Sequence, residues 1–281
     1  LYELAEVLAV VAGIVAGWSL VAMLAGAAVV RVALLTPLVI GQLSPRHLRW
    51  PGRPAAWRAA RQAVPLMINE FCLIGVLMAD RYAVDLLVGH DSAGVFTMGV
   101  TLSRATAVLV APIFMIVRPE VFSHWDGGAR GRALEQLGWA MRYVTVIAVG
   151  CFLTIALVGG GLLAIVRPVY AEAAPFLPAL AWGYLLRSLI FIPHSVVFAQ
   201  RRIRAIWVVA VAALVLAAAG HAVLVPWGGA AAAAGVTAGA YGLWLAALCW
   251  LARREMGAIA RHLGAVRLAG AACVLAAVMV L

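Results

Sequence analysis

Long apolar runs separated by short polar stretches account for most of the 281 residues. Backbone N–H and C=O groups must be paired inside a bilayer, so runs of this length predict membrane-spanning helices. The pattern predicts nine helical segments: Leu1–Val15, Ser19–Gln42, Ala63–Val84, Ala93–Val117, Arg142–Val166, Ala173–Gln200, Ala205–Trp227, Ala230–Ala252 and Val266–Leu281. One long tilted helix over Leu1–Gln42 is the alternative at the start. Arg118–Met141 is predicted to be a mostly polar segment that contains an amphipathic stretch, Gly131–Ala140.

Composition supports a membrane protein and excludes a soluble globular enzyme. Apolar residues make up 66% of the chain and charged residues 11%, whereas soluble domains have about 45–50% and about 25%. The net charge is +10. Its basic residues are all arginine and recur between apolar runs instead of forming one patch, so no nucleic-acid partner is expected.

The arginines also predict an orientation. Sixteen of them fall in alternate connections between the predicted helices, while the opposite connections hold only Arg81 and Arg167. Loops rich in arginine remain in the cytoplasm. The arginine-rich loops are therefore expected to face the cytoplasm.

Three arginines lie inside predicted helices: Arg31, Arg104 and Arg187. A charge in the bilayer interior is costly, so such residues face a bundle interior or a water-filled cavity. None has an acidic residue three or four positions away. Guanidinium groups suit phosphate or pyrophosphate. Three intramembrane arginines without a local acidic partner favour an anion-binding cavity. The alternative is that each pairs with a distant acid or snorkels to the interface.

Other polar residues in the apolar runs offer further chemistry. Glu70 either binds a coupling proton or sodium ion or pairs with a buried arginine. Asp80 and Arg81 are predicted to form a structural ion pair. Intramembrane His194 and His221 fit a proton relay or a hydrogen bond to a neighbouring helix. The deeper aromatic residues fit packing or a sugar-binding cavity: Trp182, Tyr184, Tyr241 and Trp244.

No metal or other cofactor is expected. The four cysteines lie in separate apolar segments without the paired spacing of a metal site. Hydrolase, metalloprotease and phosphate-loop motifs are absent from the sequence. The sequence therefore favours a protein that is not an enzyme.

A succession of short motifs points to a family. They are Met78–Val84 with its Asp-Arg pair, the acidic turn Gly89–Phe96, Arg118–Glu120, Tyr170–Ala174 and the turn Pro226–Ala234. Their order resembles that of the polysaccharide biosynthesis, or O-antigen flippase, family of the multidrug/oligosaccharidyl-lipid/polysaccharide exporter superfamily. The resemblance covers Ala63–Arg254.

This resemblance implies an all-α, polytopic transmembrane bundle and an internal piece of a longer transporter of twelve to fourteen helices. Residues 1–43 would be the last two helices of an incomplete first lobe, and residues 44–62 a cytoplasmic arginine-rich loop. Residues 63–254 would form the second, six-helix, MATE-like lobe. Residues 255–281 would be a cytoplasmic loop and the start of a truncated further helix.

The resemblance also implies a function. Such a protein flips a polyprenyl-pyrophosphate-linked oligosaccharide, an O-antigen, capsule or exopolysaccharide unit, from the cytoplasmic to the outer leaflet of the bacterial inner membrane by alternating access. Arg104 and Arg187 would hold the pyrophosphate with support from Arg31, and Glu70 would couple transport to a proton or sodium gradient. The expected partners are the lipid-linked substrate, the bilayer and the polysaccharide polymerase with its assembly machinery.

Alternatives come from the same superfamily and from another class. A lipid II flippase or a drug/cation antiporter would share the fold. A polytopic membrane glycosyltransferase is the rival of a different class, although it would need a catalytic carboxylate or histidine cluster beside a sizeable loop.

Overall fold

The computed structural model describes Gly52–Arg261 and ten scattered positions between Ala22 and Pro37. The chain divides into two units, Leu1–Ala60 and Arg61–Leu281, and the second of them contains the helical bundle. Arg31 lies outside the described residues. So do the predicted segments Leu1–Val15 and Val266–Leu281.

Every element of the described range is helical. The elements are α1 (Gly52–Leu87), α2 (His90–Asp126), α3 (Arg130–Val166), a 3-10 helix (Pro168–Ala173), α4 (Leu177–Ala199), α5 (Ile203–Leu251) and α6 (Arg253–Arg261). By length and composition, five helices could cross a membrane: Ala63–Leu87 of α1, and α2 to α5. The predicted all-α class is confirmed for this part of the chain, and the count of nine segments stays a prediction.

Element α5 is a helical hairpin. Its 49 residues would extend about 74 Å as one straight helix, more than twice the thickness of a bilayer core. The helix breaks at Gly229, where φ is 56° and ψ is −144°. A Cβ atom on Gly220 would lie 2.8 Å from Val236 Cγ1, so the two arms run side by side in opposite directions. We call residues 203–228 α5a and residues 230–251 α5b.

Several helices are longer than the sequence predicted. Element α1 begins at Gly52 because the arginines and alanines before Ala63 are good helix formers. Element α2 continues through Pro112 and Pro119 to Asp126. The sequence predicted that the helix ends at Val117, which is wrong, whereas the predicted amphipathic stretch Gly131–Ala140 lies within α3. Each proline removes one helical hydrogen bond, and local adjustments within a membrane helix can satisfy the groups that it frees.

The turns lie at two ends of the bundle. Val88 and Gly89, the 3-10 helix and the Gly229 break lie at one end, which we call the arginine-poor end. The turns 127–129 and 200–202 and residue Ala252 lie at the other, the arginine-rich end. The connections that the sequence assigned to opposite sides of a membrane are thus separated in space.

Helix α4 is the centre of the bundle. Two-thirds of its apolar window (67%) is buried, against 22–28% in the other long helices. It packs most extensively on α5 and also contacts α2 and α3. Buried residues of these helices form one hydrophobic cluster towards each end of the bundle. The outer helices consequently present apolar faces outward, as lipid-facing helices do.

Candidate functional site

A cavity of ≈ 240 Å³ lies among α1, α2, α4 and α5b. Apolar side chains of α1, α2 and α4 form much of its wall. Its principal polar lining residues are Asn69, Glu70, Arg118, Arg187, His194 and Trp244. Polar groups that converge in a largely apolar cavity are typical of a ligand site.

Arg187 stands near the middle of α4 and is half-buried. Its guanidinium carbon lies 5.7 Å from the ring centroid of Tyr184, one helical turn earlier. The Arg187 Nε atom is buried and has no hydrogen-bond partner among the described residues. The structure thus holds this guanidinium by an aromatic contact and leaves a donor free to bind a ligand.

Arg118 reaches the same cavity from α2. Its guanidinium carbon lies 4.8 Å from the ring centroid of Phe191 on α4. Phe114, one turn before Arg118, stacks on Phe191 with 3.6 Å between ring centroids. Glu70 on α1 lines the same cavity. An aromatic pair therefore positions the second guanidinium.

Three further polar atoms at the cavity have no partner among the described residues. They are Asn69 Oδ1, His194 Nε2 and Trp244 Nε1, all buried. Buried polar atoms are almost always hydrogen-bonded, so a group of unpaired ones marks a place for water or a ligand. With two arginines against one glutamate, the cavity favours an anion.

A second polar group joins α1 to α5b. Asp80 is only 1% exposed. Its Oδ2 accepts a hydrogen bond from Thr237 Oγ1 at 3.2 Å, and its Oδ1 accepts one from the backbone N–H of Arg81 at 2.8 Å. The Arg81 Nε atom is buried without a described partner. An ion pair between these two side chains stays a prediction, since the contact present uses the Arg81 backbone.

The structure brings together some of the predicted site residues. Arg187 and Glu70 both line the cavity, and so do His194 and Trp244. Arg104 is exposed on α2 and is not among the lining residues. Substrate-binding roles for Arg104 and for Arg31 stay predictions.

Sequence reasoning missed Arg118 and Asn69 as site residues. Arg118 was assigned to a loop because an Arg-Pro pair is typical of a helix end. The four-residue spacing between Phe114 and Arg118 would have fitted a helix that continues, because such residues share a face. No sequence pattern distinguishes Asn69 as a site residue. Its position beside Glu70 is the one signal that could have identified it.

We expect Thr237→Val to destabilise the protein by about 1–2 kcal/mol, because it leaves a buried carboxylate oxygen unpaired. For a unit of this size, that corresponds to a fall in Tm of about 2–8 °C. Thermal unfolding of the purified protein in detergent would measure it. Thr154→Val is the matched control, since Thr154 is exposed and bonds only to Gly150 O of its own helix. Equal Tm values for the two variants would contradict a stabilising role of the Asp80–Thr237 bond.

Comparison of the chain with protein-family models, with curated proteins and with solved structures finds no match.

Proposed function

We propose that the chain is part of a flippase that moves a polyprenyl-pyrophosphate-linked oligosaccharide from the cytoplasmic to the outer leaflet by alternating access. The substrate would supply O-antigen, capsule or exopolysaccharide assembly. The observation that carries the proposal is the pair Arg118 and Arg187, which line one cavity of an apolar helical bundle. The buried Nε donor of Arg187 has no partner among the residues that the structure describes.

The chemistry of the head group matches that pair. A pyrophosphate diester has two adjacent negative charges, and a guanidinium group can donate two parallel hydrogen bonds to each phosphate. Arg118 and Arg187 would each take one phosphate. The unpaired atoms of Asn69, His194 and Trp244 would take hydroxyl or amide groups of the first sugar, because sugars offer both donors and acceptors. The role in pyrophosphate binding that the resemblance implies for Arg104, with support from Arg31, remains part of the proposal.

The lipid tail also has a suitable surface. A groove on α1 is lined by five apolar side chains and Glu70: Ala63, Leu66, Met67, Glu70, Phe71 and Ile74. Glu70 lines both this groove and the cavity. A polar site adjoining an apolar groove fits an amphipathic substrate whose head enters the protein while its tail remains in lipid.

Glu70 would couple transport to an ion gradient. It is exposed and lines the cavity together with Arg118. Binding of a proton or a sodium ion would cancel its charge and leave Arg118 freer to bind phosphate. The arginine-rich end would face the cytoplasm of a bacterium, where the substrate is made, and the polysaccharide polymerase would receive the product on the other side.

The rival functions are less well supported. A cationic drug would face the two guanidinium groups of the cavity, which disfavours an antiporter. A lipid II flippase would use the same cavity and differs in being essential for wall synthesis. A glycosyltransferase would form a new glycosidic product when the purified protein is incubated with activated sugars and lipid carriers.

The proposal is tested by deleting the gene and locating the lipid-linked oligosaccharide. We expect the intermediate to accumulate on the cytoplasmic face, surface polymer to be lost, and both to recover when the wild-type gene is returned. Normal surface polymer without a stalled intermediate would contradict the proposal. A deletion that is lethal through loss of wall synthesis would favour lipid II as the substrate.

A further inference from the structure

A second cleft, of ≈ 370 Å³, lies at the arginine-rich end of the bundle. It is formed where the α4–α5 turn meets the junction of α5 and α6. Its lining residues are Gln200, Arg202, Trp250, Leu251, Arg253, Arg254 and Glu255. Three positive charges thus stand against one negative charge around a space large enough for a small-molecule group.

The arginines of the cleft are held differently from one another. Arg202 Nη1 donates a hydrogen bond to Leu251 O at 3.3 Å and so joins the two turns. The guanidinium carbon of Arg253 lies 5.2 Å from the ring centroid of Trp250. The side chain of Arg254 takes part in no ion pair or ring contact with another described residue. Arg202 therefore shapes the cleft, while Arg253 and Arg254 have donors free for a ligand.

The position of the cleft identifies the environment of that ligand. The apolar run of α5 ends at Leu251, beside the cleft. Two other arginines at this end also stack on tryptophans, Arg130 on Trp125 at 5.4 Å and Arg142 on Trp139 at 5.3 Å. Tryptophan and arginine together are typical of the head-group layer of a membrane.

We propose that this cleft binds the phosphate head group of an anionic phospholipid, with Arg253 and Arg254 as the phosphate ligands and Trp250 against the glycerol region. Basic pockets between membrane helices at the interface recognise such head groups through charge and hydrogen bonding. The site is separate from the cavity of Arg118 and Arg187, with which it shares no lining residue. It therefore does not depend on the transport proposal.

Native mass spectrometry of the full-length protein with phosphatidylglycerol or phosphatidylcholine tests this site. We expect the wild type to retain phosphatidylglycerol preferentially, and R253Q/R254Q to weaken that binding by about 30-fold, which corresponds to about 1 kcal/mol for each arginine near a membrane surface. The control is R130Q/R132Q, which removes two exposed arginines from the same end but outside the cleft.

Three other outcomes would each contradict the assignment of this cleft as a phospholipid site. An equal loss in R130Q/R132Q would mean that the lipid responds to overall charge and not to the cleft. Displacement of phosphatidylglycerol by millimolar inorganic phosphate would mean that the cleft takes a free anion. Unchanged binding by a folded R253Q/R254Q, with wild-type thermal unfolding, would mean that these arginines do not hold lipid.

Discussion

Replacing Arg187 with alanine is expected to reduce surface polymer by about 30-fold or more while the protein level stays unchanged. Arg187 offers the cavity of α1, α2, α4 and α5b a buried Nε donor that has no hydrogen-bond partner in the described part of the chain. Loss of one partner from a buried charged contact costs about 2 kcal/mol or more, which corresponds to this fold-change. Polymer quantification and immunoblotting of cells that express the full-length variant would measure both quantities.

Three companion variants make the experiment specific. Arg187→Lys should give an intermediate loss, because lysine retains the charge but not the planar fork. Arg118→Ala should resemble Arg187→Ala, because both guanidinium groups line one cavity. Arg132→Ala removes an exposed charge away from the cavity and should leave export unchanged. Wild-type export by Arg187→Ala, or equal losses of export in all variants, would contradict the proposed anion site.

The variant Arg104→Ala tests whether Arg104 binds the anion, as the sequence predicts, although it does not line the cavity. A loss as large as that of Arg187→Ala would support the role that the resemblance implies for Arg104. Normal export by this variant alone would restrict the anion site to the residues that line the cavity.

Gly183→Leu is expected to prevent the bundle from assembling. A Cβ atom at this position would lie 3.3 Å from Ala238 Cα and 3.5 Å from Ala238 N, so it would meet the backbone of α5b instead of a side chain that can rotate away. Overpacking costs about 1–3 kcal/mol where side chains can adjust, and more where they cannot. We expect a loss of about 3 kcal/mol or more, measured as a fall in Tm and in monodisperse protein on size exclusion.

Gly150→Leu is the matched control for that substitution. Gly150 lies inside α3 and is exposed, and a Cβ atom there would have no neighbour within 4 Å. Both substitutions therefore change helix propensity equally, but only Gly183→Leu places a side chain against a neighbouring helix. If both variants unfold at the same temperature, close approach of α4 and α5b does not limit stability.

The fold class and the interruption of α5 could be predicted from sequence because both depend on local pattern. Apolar runs of membrane length specify helices, and the Pro-Trp-Gly-Gly stretch at Pro226–Gly229 indicates a break. The continuation of α2 past Pro119 could not be predicted in this way. A proline disfavours a helix locally, and packing over the rest of the element decides whether the helix continues.

Individual residues of the candidate site could be predicted from sequence, but not which of them lie together. Arg187 and Glu70 stood out because a charge within an apolar run is costly. Which face of a helix a residue occupies depends on how that helix is rotated against its neighbours, so the sequence could not separate Arg104 from Arg187. The contact between Asp80 and Thr237 joins residues 157 positions apart, and no local pattern links them.

The single-residue break at Gly229 also bears on how the protein enters the bilayer during synthesis. Residues 203–228 and 230–251 are apolar arms of about 39 and 33 Å joined without a hydrophilic loop. No polar segment between them has to be translocated, and no arginine there can anchor the first arm before the second is made. We expect the two arms to insert as one pair. Its orientation would then be determined by the arginines at its two ends, Arg201, Arg202 and Arg204 at the start and Arg253 and Arg254 after it.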